Sequence, residues 1–175
     1  GRGDFLTIKD DKIQGFRKLR EEADGTWSAD YQVFPGYPTI YHDGASEHEV
    51  ALTFDDGPDP RWTPAILDIL KAKGAKASFF VVGVEVARYP EIVRRILDEG
   101  HEIGLHTYFH PDLSKISAKR LLLELNASQR LLEGVTGRST TLFRPPYNVD
   151  SRPGQRQEVE PLIRVQELGY TTVTQ

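Results

Sequence analysis

Residues 53–58 read Thr53-Phe54-Asp55-Asp56-Gly57-Pro58 and set two carboxylates side by side between a short apolar run (Val50, Ala51, Leu52) and a Gly-Pro break. The pattern predicts a buried strand that stops abruptly and hands both acids to a loop. On a continuing strand, adjacent side chains point to opposite faces, so the two acids can share one site only where the strand ends. Carboxylates this close repel, and one is pushed toward neutrality unless a cation or a basic partner intervenes. By itself Asp-Asp-Gly-Pro reads equally well as a solvated Asx turn. Its companions elsewhere in the chain decide between the two.

The first companion is His106-Thr107-Tyr108-Phe109-His110-Pro111. Two histidines four apart reach one metal from a helical turn or from a tight loop. Pro111 disfavours helical geometry at His110, so a loop is expected, again leaving a short apolar stretch (Ile103, Leu105). Two imidazoles and one carboxylate suit a divalent ion such as Zn, with Co, Ni or Fe as alternatives, and leave positions open for water. His42, His48 and His101 lack such surroundings and are read as capping or packing residues. The second companion is Phe143-Arg144-Pro145-Pro146-Tyr147. An arginine at a strand end can hold a carboxylate through a bidentate fork and favour its ionised form. The prolines fix the chain so that the next backbone N–H points one way, as an oxyanion requires.

Elements must deliver these residues to one place. A strand at about 50–54 leads to a helix from Thr63, capped by Thr63 with Pro64 in its first turn. Ile66, Leu67, Ile69 and Leu70 form its buried face, and Gly74 ends it. A strand at 77–82, a helix at 90–99 and a strand at 102–105 follow, the last carrying His106 at its end. A helix from Ser117 to Glu133 turns Leu121, Leu122, Leu125 and Leu132 inward. A strand at 141–143, a helix at about 156–168 and a strand at 170–174 complete the series. Strands alternating with such helices imply parallel βαβ units with right-handed crossovers, and every candidate residue follows a strand C-terminus, where barrels of this class keep their sites. The first 48 residues differ: a possible strand near 5–8, then short strands and turns with Trp27, Tyr31, Phe34, Tyr37 and Tyr41. We read that aromatic series as packing rather than a sugar-binding strip, because Pro35 and Pro38 interrupt any flat platform.

Together, TFDDGP, HTYFHP and RPPY resemble the polysaccharide deacetylases of carbohydrate esterase family four, in the family's order. The resemblance covers about residues 49–175. It implies that Asp55 is the catalytic base, that Asp56, His106 and His110 bind the metal, that Arg144 orients the base, and that the Tyr147 backbone N–H helps bind the oxyanion. It implies a hydrolase that removes acetyl groups from N-acetylglucosamine-containing polysaccharide such as chitin or peptidoglycan, at the cell surface or outside the cell. A xylan O-acetyl esterase is the alternative within the enzyme class. The family carries two later motifs, an Asp/Trp stretch and a general-acid His, that the chain does not reach. The expected fold is therefore α/β, a partial (β/α) barrel truncated at its C-terminus, residues 49–175, preceded by a short β/loop segment, residues 1–48. Loss of a positioned general acid costs ~10² to 10⁴ in rate, so a catalytically impaired metal- or glycan-binding module is a further reading. The nearest context the resemblance suggests is a tripartite cell-surface protein with glycosidase-like, deacetylase and glycosyltransferase parts.

Composition excludes other classes. A chain of 175 residues with 38% hydrophobic content and a net charge of −4 is long enough for one core and offers no basic face for nucleic acid. There is no cysteine, hence no disulfide or thiolate site. Five strands cannot close a barrel of ~8, so the last strand is expected to present an unpaired edge, favouring self-association, unless the N-terminal segment or another chain covers it.

Overall fold

A computed structural model describes residues 6–9, 16–21, 27–33, 39–42, 50–148 and 156–173. Four strands come first: β1 (Leu6–Lys9), β2 (Phe16–Glu21), β3 (Trp27–Val33) and β4 (Thr39–His42). The side chains of the N-terminal aromatics, and with them the choice between packing and a sugar strip, lie outside the described residues, as does His48. From there strand and helix alternate: β5 (Thr53–Gly57), α1 (Trp62–Lys73), β6 (Ser78–Val81), α2 (Gly83–Arg88), α3 (Pro90–Asp98), β7 (Glu102–Leu105), α4 (Ala118–Thr136), β8 (Leu142–Phe143), α5 (Arg156–Glu167) and β9 (Thr171–Val173). Strands β5 to β9 are parallel neighbours in sequence order. Right-handed crossovers that always advance one strand put their helices on one face, as in a (β/α) barrel.

The core lies between that sheet and its helices. Phe79, Val81, Ile103, Leu105 and Phe143 meet Leu67, Leu70, Val93, Ile96, Leu121, Leu125, Leu132 and Val165. Alternation along the strands sends Phe80, Leu142 and Val173 to the opposite face, where they form a smaller cluster of their own. Among the described residues no helix is long and apolar enough to cross a membrane.

Several local expectations need correction. Helix α1 starts at Trp62, and its free N–H groups are met by Asp59, whose Oδ1 accepts from Arg61 N (2.8 Å) and Trp62 N (2.7 Å). Thr63 is buried and instead accepts the Asp59 N–H. Ile69 and Leu122 are exposed, because each lies beside the apolar stripe and not on it. Helix α2 was not anticipated; six residues are too few to show a period. Gly74 and Ser117 do end and cap their helices: Gly74 is left-handed, and the Ser117 hydroxyl accepts the Arg120 N–H.

The last strand's edge is covered. β4 lies parallel on the outer side of β9, pairing Thr39 with Thr172 and Ile40 with Val173, and β1 adds antiparallel to β4. Thr39, Ile40 and Tyr41 are strong strand formers following a proline, so they supply the ladder that β9 otherwise lacks. The sheet thus has seven strands, in the order β1-β4-β9-β8-β7-β6-β5, and a separate antiparallel pair, β2 and β3.

Candidate active site and metal centre

The two acids do not leave the end of a strand. β5 runs on to Gly57, but its register against β6 shifts: Phe54 faces Phe79 and Gly57 faces Val81, so β5 holds one residue more than its partner. Asp56 sits in this bulge with φ +67°. A bulge with a left-handed residue re-aims one side chain, and this is how adjacent aspartates come to serve one site. Asp55 turns inward to Arg144; Asp56 is largely exposed and faces the histidines.

Arg144 is buried against the ring of Phe80, its guanidinium carbon 4.1 Å from the ring centre. Its Nη1 donates to Asp55 Oδ1 (2.8 Å) and to Thr53 Oγ1 (2.9 Å), and its Nε donates to the Val173 carbonyl (3.1 Å). A fixed planar fork with three partners on two strands has little freedom, so it holds the Asp55 carboxylate in one orientation. Thr53 was missed by sequence reasoning; only its position two residues before Asp55, on the same face, pointed to it.

His106 and His110 meet Asp56. Their Nε2 atoms lie 3.3 Å and 3.1 Å from Asp56 Oδ1, and the three ligand atoms fall within 4.8 Å of one another. His106 Nδ1 is 2.7 Å from the Arg144 carbonyl, which can only accept, so Nδ1 carries the proton and Nε2 presents a lone pair to the centre. Burial pushes the His106 imidazole below its ordinary pKa, toward the neutral form a metal needs, with the Arg144 carbonyl opposing. Two convergent nitrogens and a carboxylate fit a borderline divalent cation such as Zn. His101, by contrast, lies against Phe79 and accepts the Ala77 N–H at Nδ1 (3.3 Å), well apart from the triad.

The loop bearing the histidines is held from two sides. The first N–H groups of α2, from Gly83 and Val84, donate to the carbonyls of Thr107 and Tyr108 (3.0 Å each). On the other side Glu124 Oε2, from α4, accepts the N–H groups of Tyr108 and Phe109 (2.8 Å each). Thr107 Oγ1 donates to the His106 carbonyl and accepts the His110 N–H. Tyr147, in the short 3-10 turn Pro146–Asn148, sets its exposed ring edge-on to His110, with centroids 4.7 Å apart. All four non-glycine residues with positive φ among the described residues (Asp56, Thr107, His110 and Tyr147) lie in this site. Each such conformation costs on the order of 1–3 kcal/mol, so the surrounding contacts must impose it.

Comparison with known proteins gives the family. The family model for polysaccharide deacetylase matches residues 42–172. A peptidoglycan-N-acetylglucosamine deacetylase of Bacillus cereus is 38% identical over 130 residues, 74% of this chain and 47% of the relative. The peptidoglycan-N-acetylmuramic acid deacetylase PdaC of Bacillus subtilis is 48% identical over 98 residues, 56% of this chain and 21% of the relative. Among solved structures, the Bc1960 peptidoglycan N-acetylglucosamine deacetylase, in complex with an N-hydroxybenzamide, superposes with a TM-score of 0.64 at 40% identity, covering 71% of this chain and 55% of that one. The chain thus spans about half, or less, of the length of these two peptidoglycan deacetylase relatives.

Proposed function

Because the chain belongs to the polysaccharide deacetylase family, we propose that it is a metal-dependent hydrolase that removes acetyl groups from N-acetylated sugars of peptidoglycan or a related polymer such as chitin. The observation that carries the reading is an arginine-held carboxylate, Asp55, on the residue next to the Asp56–His106–His110 cluster. Its relatives named as peptidoglycan deacetylases support amide-linked acetyl groups over the O-acetyl groups of xylan. Such a polymer places the reaction at the cell surface or outside the cell.

Asp56, His106 and His110 would hold a divalent ion, Zn before Co, Ni or Fe, which supplies Lewis-acid polarisation of the acetyl carbonyl and makes water more acidic. Asp55 takes the proton of the attacking water, and Arg144 keeps that carboxylate aimed. The Tyr147 N–H, fixed by Pro145 and Pro146, donates to the oxygen that becomes negative. As the tetrahedral adduct collapses, its C–N bond breaks and the sugar amine leaves with the proton that Asp55 took from the water, the acetyl group departing as acetate.

The test is acetate release from N-acetylglucosamine oligomers and from peptidoglycan fragments, with acetylated xylan as the contrast, on protein titrated with Zn or Co. Release from the amide substrates that vanishes in Asp55→Asn while the cation still binds is the expected result. Cation binding with no release from any substrate returns the chain to a metal- or glycan-binding module.

A further inference from the structure

We infer that Glu124 is a positioning residue of the metal centre, acting through the main chain of the His106–His110 loop; the inference rests on the deacetylase reading above. Its side chain is 1% exposed, in the middle of α4 among Leu121, Leu125 and Leu132. A carboxylate is costly there, and an apolar side chain of similar size would pack as well, so its presence needs a reason beyond the core. Its contacts supply one. Oε1 takes Nε and Nη2 of Arg120 (2.8 and 2.6 Å), one helical turn back. Oε2 takes two consecutive loop amides, those of Tyr108 and Phe109. Four donors therefore fill the carboxylate.

Consecutive N–H groups converge on one acceptor only when the backbone between them is sharply turned, and the flanking Thr107 and His110 are both left-handed. The α2 N-terminus grips the carbonyls of the same peptides from the other side. With main-chain donors and acceptors both engaged, the loop has no low-energy alternative that keeps its hydrogen bonds. The separation of the two Nε2 atoms is then set by α2 and α4, before any cation arrives. A chemically silent acid inside a helix thus fixes the ligand geometry that the two histidines present.

The test uses the whole chain and Co²⁺ alone as the probe. Glu124→Gln keeps the shape but turns one acceptor into a donor that faces either the loop amides or Arg120. Titration calorimetry and the visible spectrum of bound Co²⁺ should show affinity weakened by roughly 10- to 100-fold, with altered ligand geometry, as for loss of other groups that orient metal ligands. In the unaltered, cation-free protein, the Tyr108 and Phe109 amides should exchange as slowly as those of β7, a measurement that needs no variant. Fast exchange of both amides, or Glu124→Gln with an unchanged Co²⁺ dissociation constant and spectrum, overturns the assignment. Absence of Co²⁺ binding by the unaltered chain overturns the deacetylase reading instead, which keeps the two failures apart.

Discussion

At the scale of single residues, the proposed function divides the site into groups that bind a cation and groups that aim a base, and substitution should separate them. Asp56→Ala or His106→Ala removes one of three ligands and should abolish stoichiometric Zn or Co binding by calorimetry. His101→Ala should retain binding while lowering thermal stability, because that ring packs on Phe79 away from the triad. Arg144→Lys should leave cation affinity intact and lower turnover by ~10²-fold, since a point charge cannot keep three donors aligned and small misplacements of a catalytic group are costly. His101 also predicts a pH dependence. Burial, with Lys76 nearby, pushes its imidazole below the usual 6.5, so folding favours the neutral ring. That contribution is complete above the unfolded value and is lost as pH falls through the folded one. Denaturation profiles should therefore weaken from about pH 6.5 downward, with a shallower slope in His101→Gln.

At the scale of elements, what the sequence revealed depended on how local the cause was. β7 lies at the expected 102–105, because the short apolar stretch of Ile103 and Leu105 is a local signal. The residues of the three motifs were legible as chemistry, and the structure brings Asp55, Asp56, His106, His110, Arg144 and Tyr147 together. How the aspartates share a site was not legible, because a bulge depends on the register of the neighbouring strand, which β5 does not encode. Glu124 left a fainter sign: a charge three residues after Leu121 falls on the buried stripe of α4, where a charge asks for a partner. Helix α2 showed none, yet its first turn carries a prediction. A Cβ on Gly83 would stand 2.4 Å from the Tyr108 ring and 3.0 Å from its Cα. Gly83→Ala should cost about 1–3 kcal/mol in denaturant unfolding, as overpacking does, and should weaken Co²⁺ binding because the displaced neighbour is the histidine loop itself.

At the scale of the whole molecule, the pairing of β4 with β9 changes what the N-terminal residues are for. The strand that seemed destined to be an open edge is interior, and among the described residues the outer edges of the large sheet belong to β1 and β5. Deleting residues 1–42 strips β4 from β9 and should convert the chain to associating species by light scattering, with faster amide exchange at 171–173. A stable monomer from that deletion would count against the ladder.

The Arg144 side chain joins residues that are far apart in the order of synthesis: Thr53 and Asp55 are made early, Arg144 late, and the Val173 carbonyl it also holds later still. On the proposed reading, a nascent chain that has emerged past His110 already owns all three cation ligands, whereas the arginine that steers the base, and the Val173 carbonyl that helps hold it, are still to be made. If the proposed roles hold, cation capture and alignment of the base therefore mature at different moments, and the second waits for β9 to dock. The guanidinium acts as a latch between β5 and β9, so on the proposed reading the ligands for the ion are assembled before the base is locked in place.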